Sequence, residues 1–284
     1  MKILNKDSNN VILIMAGGLG KRMNSDLPKV LHKINNKPMI IHIIENAIKL
    51  NPYTILIVVG KYKNIIEETI NFYIDIKYQN YIQYILQENP NGTGHAIICA
   101  KKKLKTMRKK NGLILSGDTP LVDNMFMEKM LKNLQNFKIC TTCLENPFGY
   151  GRVMNFTNKN ILSLNLQKYY TKIIEQKDCN EYSIQINLVN CGIYSFRINL
   201  LITYLHMITN NNNQNEYYLT DLIEIITKRE GIDVEILKIS CDENYKVSGV
   251  NTYEQLIHVE KQMIEKINQN TNNIYNNDEN FTMY

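Results

Sequence analysis

The stretch that decides the fold is VILIMAGGLGKRM, residues 11–23. Its first part is an apolar run that predicts a buried strand, and the run leads straight into a turn with glycines at 17, 18 and 20. Glycines let the backbone turn sharply and bring N–H groups close to an anion, because no Cβ blocks the approach. Lys21, Arg22 and Lys29 add positive charge there. The stretch therefore predicts a phosphate-rich ligand at the edge of a parallel sheet.

Two common phosphate-binding motifs do not fit this turn. A Walker A loop needs a glycine where Met15 stands and a Ser or Thr where Arg22 stands. A dinucleotide-binding fingerprint needs a third glycine where Met23 stands. On this stretch alone, a plain glycine-rich turn with solvated cations stays open as the alternative.

Short apolar runs alternate with segments of helical period over the first half of the chain. The runs that predict strands are 11–15, 54–59, 82–86, 112–116 and 137–144, and the patterns that predict helices are about 38–50, 62–74, 94–108 and 123–135. This order predicts an α/β fold, a Rossmann-like, mixed but mostly parallel central sheet with helices on both faces. Ligands in such sheets bind beyond the carboxyl ends of the strands, where residues 16–23 and 116–120 fall.

After residue 145 the rhythm changes. Extended runs are predicted at 152–156, 161–166 and 188–196, helices at 198–208 and 219–229, a strand at 232–239 and a helix from about 251 to 268. We expect one domain over 1–268, with a nucleotide-binding half at about 1–145, a substrate-binding half at 146–250 and a C-terminal helix at 251–268. Residues 269–284, rich in Asn, are predicted to be a disordered tail.

Composition narrows the class of protein. The 284 residues carry a net charge of +6, and no basic tract interleaves with aromatic residues, so small polyanionic substrates explain the charge better than nucleic acid does. The six cysteines show no regular framework, which favours reduced thiols. No apolar run is long enough for a signal peptide core or a membrane span, so we expect a cytoplasmic protein with no membrane partner.

A second candidate site is the Gly-Asp pair at 117–118, which follows the apolar run 112–116. It puts one carboxylate, that of Asp118, at the carboxyl end of a predicted strand. A lone carboxylate there suits Mg²⁺, which takes one or two protein oxygens together with phosphate oxygens. The alternative, a turn aspartate that caps the following helix, stays open on this segment.

A third candidate is the segment 86–96, in which a predicted strand enters the turn Gly92-Thr93-Gly94 at the start of a helix. Free backbone N–H groups and the Thr93 hydroxyl can bind the edge of a base. Gln87 can offer a donor and an acceptor together, as the imide edge of a pyrimidine requires. His95 is read as a residue of the helix start rather than as an acid or base.

Polar clusters in the second half suit the hydroxyl groups of a sugar, although any one of them alone is more often ordinary loop polarity. They are Phe148–Arg152, Ile174–Asp178 and Asn190–Ile193.

Together these segments carry a family resemblance over about residues 11–267. The segments that agree in order and spacing are AGGLGKRM at 16–23, LPKVLH at 27–32, Gln87 with GTGHA at 92–96, Gly-Asp at 117–118, GYGR at 149–152, Glu-x-Lys-Asp at 175–178, Asn-x-Gly-Ile at 190–193, EYYLTD at 216–221 and Gly-Val-Asn at 249–251. The chain resembles the uridyltransferase domain of bacterial N-acetylglucosamine-1-phosphate uridyltransferase, the bifunctional enzyme that makes UDP-N-acetylglucosamine for peptidoglycan and lipopolysaccharide synthesis.

The resemblance implies substrates, a cofactor and roles for named residues. The substrates are UTP and N-acetylglucosamine-1-phosphate, the cofactor is Mg²⁺, and the products are UDP-N-acetylglucosamine and pyrophosphate. The implied catalytic residues are Arg22 and Lys29; the nucleotide-binding residues are Ala16, Gly17, Gly18, Gly20, Lys29, Gln87, Gly92, Thr93 and Asp118; the sugar-binding residues are Gly151, Glu175, Asn190 and Asn251; and the metal ligands are Asp118 and Asn251.

The chain departs from the family pattern at several positions. Leu188 stands where the family usually has Glu, Thr252-Tyr253 replaces Asn-Arg, and the segment between residues 160 and 175 is longer than usual. The hexapeptide repeats of the family's left-handed β-helix are absent, so we expect no acetyltransferase activity, and the oligomeric state stays open. The alternatives are a related sugar-1-phosphate nucleotidyltransferase with another sugar or base, and an inactive nucleotide-binding descendant.

Overall fold

The computed structural model describes residues 8–18, 20–23, 25–157 and 169–265. The strands are β1 (Asn10–Ala16), β2 (Lys33–Ile34), β3 (Lys37–Pro38), β4 (Thr54–Val59), β5 (Ile82–Leu86), β6 (Asn111–Ser116), β7 (Phe137–Cys143), β8 (Arg152–Thr157), β9 (Tyr169–Ile174), β10 (Leu188–Arg197) and β11 (Glu235–Ile239). The α-helices are α1 (Met39–Lys49), α2 (Lys63–Tyr73), α3 (Ile76–Gln79), α4 (Thr93–Lys105), α5 (Asn124–Leu131), α6 (Ile198–Tyr204), α7 (Asp221–Glu230) and α8 (residues 253–265).

The central sheet has nine strands, of which seven follow the order β11-β7-β10-β6-β1-β4-β5. Pairs β1–β4, β1–β6, β4–β5 and β7–β11 are parallel, whereas β10 lies antiparallel to both β6 and β7. The hairpin β8–β9 joins the sheet through a pairing of β8 with β10. The predicted mixed, mostly parallel sheet is confirmed.

Helices cover both faces because β1 is apolar on both sides. Ile12 and Ile14 face one core cluster, which α1, α2 and α5 cover, and Val11 and Leu13 face a second, which α4, α6 and α7 cover. Strands that are buried on both faces read as continuous apolar runs, and this is why residues 11–15 and 54–59 were readable as strands.

The C-terminal helix α8 packs away from the sheet on a third, smaller cluster. Leu256 and Val259 of α8 are buried together with Met23 and Val250. This packing holds the end of the chain's described part against the glycine-rich turn that follows β1.

The predicted strands and helices of the first half are confirmed to within a few residues. The structure adds β9, which the sequence did not predict, and ends the helix predicted at 198–208 at Tyr204, with a 3-10 turn over Leu205–Met207. The predicted run 161–166 and the predicted tail 269–284 lie outside the described residues. The division into halves stays a prediction.

Candidate active site

A cleft of about 520 Å³ opens at the carboxyl ends of β1, β5 and β6. Its lining includes all the residues named from the sequence for a nucleotide, namely Ala16, Gly17, Gly18, Gly20, Arg22, Lys29, Gln87, Gly92, Thr93 and Asp118. They come from four separate segments of the chain, which the parallel sheet brings to one edge.

One end of the cleft is built on two 3-10 turns that follow β1. The first, Lys21–Met23, carries Arg22, and the second, Lys29–Leu31, begins with Lys29. Gly20, with φ of +62°, joins β1 to the first turn, and a Cβ built on it would lie 2.8 Å from the Cβ of Lys29. A side chain at position 20 would therefore push the two turns apart.

Asp118 reaches the same end of the cleft from β6. The N–H of Gly117 donates to the carbonyl of Met15 at 2.9 Å, and a Cβ on Gly117 would approach that oxygen to the same distance. Gly117 therefore lets the strand end pass close to β1, which turns the Asp118 side chain toward Lys29.

Asn251 completes this group from the far end of the chain. The N–H of Val250 donates to the carbonyl of Asp118 at 2.9 Å, and the N–H of Asn251 donates to Gln255 Oε1 at 2.7 Å. The first bond fixes the segment beside β6, and the second ties it to the start of α8.

These side chains form a connected polar cluster. Lys29 Nζ donates to Asp118 Oδ2 and, at 3.0 Å, to Asn251 Oδ1, and Arg22 Nη2 donates to the same Asn251 oxygen at 2.9 Å. The side chains of Lys29 and Asp118 are only 15% and 11% exposed. The arrangement puts two cations and a carboxylate beside the glycine-rich turn, which is the composition that a bound phosphate chain and its counter-ion require.

The oxygen donors of the cluster suit magnesium. Asp118 Oδ2 and Asn251 Oδ1 both converge on the Lys29 ammonium group, so they already face one common cation. The described ranges hold no group of three or more His, Cys, Asp or Glu side chains with metal-ligand geometry. Mg²⁺ matches such a site, because it usually takes one or two protein oxygens and completes its shell with water and phosphate.

Gln87 and Gly92 line the same cleft as this cluster. Gln87 follows β5 directly, is 5% exposed and donates through Nε2 to the carbonyl of Gly92 at 3.1 Å. Gly92, with φ of +101°, precedes the first residue of α4, and a Cβ on it would lie 2.6 Å from the carbonyl of Tyr217. Only glycine adopts this conformation without strain.

The segment EYYLTD, to which the sequence assigned no site residue, packs along this turn. The N–H of Tyr217 donates to the carbonyl of Asn91, the N–H of Gly94 donates to the carbonyl of Tyr217, and the N–H of Leu219 donates to Thr93 Oγ1. Glu216 lines the cleft, and its pKa is raised because burial removes water from the carboxylate. Sequence reasoning missed Glu216, and the raised pKa is a signal that only the folded chain gives.

Of the four residues named for a sugar, Gly151, Glu175 and Asn190 are neighbours of one another. The fourth, Asn251, lies in the polar cluster with Lys29. The N–H of Asn190 donates to the carbonyl of Gly151 at 2.9 Å, and a Cβ on Gly151 would lie 3.3 Å from Glu175 Oε2. In the described part of the chain they lie outside the lining of the 520 Å³ cleft, unlike Asp118. Burial raises the pKa of Tyr150, and the charges of Cys191 and Asp118 raise it further.

Burial is the largest influence on the pKa of Glu175. It raises the pKa of this carboxyl group, the hydrogen bond from Thr220 Oγ1 at 2.9 Å lowers it, and the charges of Asp178 and Glu216 raise it again. Thr220, which the sequence did not single out, therefore supports the anionic form of Glu175.

Arg152 is a buried structural partner of this region. It is 1% exposed, and its guanidinium donates to the carbonyl of Tyr150 and, at 3.0 Å, to Gln176 Oε1. Gln176 Oε1 also accepts from the N–H of Gly149 at 2.9 Å. These bonds fix the glycine-bracketed turn against the segment that carries Glu175.

Residues 11–241 match the family model described as "Nucleotidyl transferase". The chain belongs to the nucleotidyl transferase family. It is 37% identical over 257 residues to a "Probable UDP-N-acetylglucosamine pyrophosphorylase" of Acanthamoeba polyphaga mimivirus, an alignment that covers 88% of this chain and 94% of the relative. It is also 36% identical to a "Bifunctional protein GlmU" of Clostridium botulinum and 38% identical to one of Clostridium kluyveri. These alignments cover 91% and 92% of this chain, which spans only 53% of each GlmU protein.

Solved structures support the same fold at lower identity. A UDP-glucose pyrophosphorylase, crystallised in complex with UDP-glucose, superposes with a TM-score of 0.66 at 18% identity, covering 90% of this chain and 99% of that one. A glucose-1-phosphate thymidylyltransferase from Bacillus anthracis, described as putative in its structure's name, superposes with a TM-score of 0.62 at 17% identity, covering 89% and 94%. At this identity the likeness shows the fold alone. No helix in the described ranges has both the length and the apolar character to cross a bilayer.

Proposed function

We propose that this nucleotidyltransferase transfers the uridylyl group of UTP to N-acetylglucosamine-1-phosphate, giving UDP-N-acetylglucosamine and pyrophosphate. Family membership supports the type of reaction. The name of the mimivirus relative, which the chain matches over nearly its whole length, supports the sugar and the base. UDP-N-acetylglucosamine is a precursor of peptidoglycan, so the proposal puts the protein in cytoplasmic precursor synthesis.

The observation that carries the proposal is the polar cluster of Arg22, Lys29, Asp118 and Asn251 at one end of the cleft. Gln87 and Gly92 line the same cleft and form the part that we propose for the base. A nucleoside triphosphate has the matching polarity, with an uncharged base at one end and a chain of negative charge at the other.

The reaction needs positioning and cations more than it needs a base. An oxygen of the sugar phosphate attacks the α-phosphorus of UTP in line, a new P–O bond forms, and the bond to the β-phosphate breaks as pyrophosphate leaves. The attacking phosphate is already anionic, so no general base is required. Arg22 and Lys29 supply fixed positive charge where negative charge accumulates in the transition state.

Asp118 and Asn251 are the residues that would hold Mg²⁺. When bound there, the ion would supply positive charge that neutralises the phosphates. Lys29 donates to both of these residues, and its ammonium group would be available for the phosphates if Asp118 and Asn251 held the ion instead.

For the sugar we propose Gly151, Glu175 and Asn190. Glu175 is an acceptor for hydroxyl or amide N–H groups, and Asn190 adds backbone and side-chain groups beside it. A Cβ on Gly151 would lie 2.8 Å from Ile173 and 3.3 Å from Glu175, so a larger residue there would fill the space in front of the carboxylate.

Pyrophosphate release with UTP and N-acetylglucosamine-1-phosphate tests the proposal, with and without EDTA. We expect release that depends on both substrates and stops when EDTA removes the metal. Competition with other nucleoside triphosphates and with glucose- or mannose-1-phosphate distinguishes the related enzymes. Preference for another pair would contradict the substrates, and UTP binding without pyrophosphate release in Mg²⁺ would indicate an inactive descendant.

A further inference from the structure

His95 contacts Gln87, which lines the part of the cleft proposed for the base, but it has no part in the chemistry above. It lies near the start of α4, where its Nδ1 is 3.2 Å from Gln87 Nε2. Its ring lies 6.0 Å from that of Tyr217, and both ring nitrogens lie 3.9–4.0 Å from Cys99 Sγ. Through this contact with Gln87, His95 can affect how the proposed base is bound.

The orientation of the Gln87 amide follows from its partners. The carbonyl of Gly92 can only accept, so the atom of Gln87 that faces it at 3.1 Å must be the nitrogen. That nitrogen carries two hydrogens, and the second is directed to His95 Nδ1. His95 therefore accepts with an unprotonated Nδ1, and the proton of the neutral ring lies on Nε2.

Both N–H groups of Gln87 are thus used within the protein, and only its oxygen is left for a ligand. Gln87 Oε1 points toward the glycine-rich turn, since a Cβ built on Gly17 would lie 2.8 Å from it. Gln87 and Gly17 both line the cleft. The side chain therefore presents an acceptor alone, although a free glutamine can act as donor or acceptor.

We propose that His95 is a positioning residue that holds Gln87 with its oxygen toward the base, so that the site selects a base with an N–H donor at that point. The imide N3–H of uracil is such a donor, whereas N3 of cytosine is an acceptor and would face the oxygen of Gln87 without a hydrogen between them. The inference rests on the proposed use of a uridine nucleotide. It adds a residue that sets base selectivity through Gln87.

The variant His95→Phe tests this, because it keeps an aromatic ring beside Tyr217 and removes the acceptor. Loss of one buried hydrogen bond predicts a KM for UTP about 10-fold higher, with kcat within about twofold. The ratio of kcat/KM for UTP to that for CTP falls about 10-fold, because the amide of Gln87 is free to turn. Cys99→Ala, on the same helix and also in contact with His95, is the matched control and keeps the ratio.

A double-mutant cycle separates positioning from packing. If His95 acts through Gln87, His95→Phe changes the UTP to CTP ratio in the parent protein and leaves it unchanged in a Gln87→Ala background. An equal effect in both backgrounds, or an unchanged ratio in the single variant, overturns the proposal. His95→Gln, whose side-chain oxygen can accept the same hydrogen, is expected to recover part of the ratio.

Two measurements keep this test independent of the proposed reaction. Calorimetric titration of the parent and variant proteins with UTP and with CTP gives the same ratio from binding alone, without N-acetylglucosamine-1-phosphate. An absence of pyrophosphate release by the parent protein contradicts the proposed function, whereas an unchanged binding ratio in His95→Phe contradicts the role of His95. If His95→Phe does not fold, His95→Met removes the acceptor and carries the same expectation.

Discussion

Charge is balanced differently in two regions of the molecule. The first is the proposed phosphate end of the cleft, formed by Arg22, Lys29, Asp118 and Asn251, and the second is the cluster around Glu175. At the phosphate end, Lys29 donates to the Asp118 carboxylate and to Asn251, and Arg22 donates to the neutral amide of Asn251, so both cations have hydrogen-bond partners. Around Glu175 the carboxyl groups crowd one another, and the charges of Asp178 and Glu216 act with burial to raise its pKa. Burial likewise raises the pKa of Asp221, to about 6, in spite of the opposing charge of Lys172.

This difference follows the chemistry that each region would serve. A triphosphate brings negative charge, so its site needs cations that can exchange their protein partners for phosphate oxygens. A sugar ring is neutral, and its hydroxyl and amide groups need acceptors rather than cations. The first region should therefore be sensitive to the loss of a positive charge, and the second to pH and to single hydrogen bonds.

The largest expected effect is at Arg22. Arg22→Ala removes a fixed positive charge from the phosphate end and should lower kcat by about 10²-fold or more, as loss of a preorganised charge-stabilising group does. Lys33→Ala is the matched control, because it removes an exposed lysine from strand β2 and should leave kcat within about twofold. Near-parent turnover in purified Arg22→Ala would show that Arg22 only holds Asn251 in place and does not stabilise the transition state.

Much of the phosphate end could be predicted from the sequence, because its signals are local. Gly20 and Arg22 stand within one short turn, and Asp118 is the second residue after the end of its strand. The region around Glu175 offered less, because the groups that control it are distant in the chain: Thr220 bonds Glu175 across 45 residues. A resemblance supplied the role of Glu175, whereas the contacts of Thr220 needed the fold.

The same limit applies to the sheet. Apolar runs predicted β1, β4 and β6 because those strands are buried on both faces. The run at 188–196 was predicted as extended, but its insertion as β10 between β6 and β7, antiparallel to both, is a matter of long-range pairing. No local pattern in residues 188–197 predicts which strands pair with them.

The second prediction concerns Gly92, in the part of the same cleft that we propose for the base. Gly92→Ala puts a Cβ 2.6 Å from the carbonyl of Tyr217 and strains a backbone with φ of +101°. We expect the free energy of unfolding to fall by about 2 kcal/mol and the KM for UTP to rise. Gly18→Ala, where a Cβ meets nothing within 4 Å, is the control for stability in urea denaturation. Equal stability of the two variants would mean that the backbone at residues 91–94 can shift to accept a Cβ without loss of unfolding free energy.

The third prediction concerns the hydrogen bond from Thr220 to Glu175, in the region that we propose for the sugar. Thr220→Val removes the hydroxyl that donates to Glu175, and a hydrogen bond to a charged group is worth about 1.5–3 kcal/mol. The KM for N-acetylglucosamine-1-phosphate should rise about 10-fold while the KM for UTP stays nearly constant. Because Thr220 lowers the pKa of Glu175, its loss should also move the acid side of the KM profile to higher pH.

Steady-state kinetics between pH 5 and 8, with Thr203→Val as the control, measures this effect. Thr203 is an exposed threonine of α6 whose hydroxyl donates to the carbonyl of Asn199, so the chemical change is the same at a distant place. An equal rise in both KM values would point to a general loss of structure, and an unshifted pH profile would contradict the role of Thr220.

The smallest expected effect is a dependence of stability on pH at Asp221. Its folded-state pKa, about 6, lies above the usual value for aspartate, so ionisation costs the folded state more than the unfolded one. The cost is absent below about pH 4, grows between pH 4 and 6 and is complete above pH 6. The stability of Asp221→Asn relative to the parent protein should therefore be higher at pH 8 than at pH 4.5. We expect this difference to be about 1 kcal/mol after allowance for solvent screening.

Denaturant unfolding at the two pH values, with Asp242→Asn for comparison, makes the sign decisive. A hydrogen bond from Ser240 lowers the pKa of the exposed Asp242, so its carboxylate stabilises the fold above the unfolded pKa and loses that contribution as pH falls. Asp242→Asn should therefore change in the opposite direction, losing stability relative to the parent protein at pH 8. A loss of stability in Asp221→Asn relative to the parent protein at pH 8 would mean that burial near Glu175 does not raise the pKa of Asp221, and the contrast between the two regions would then rest on the phosphate end alone.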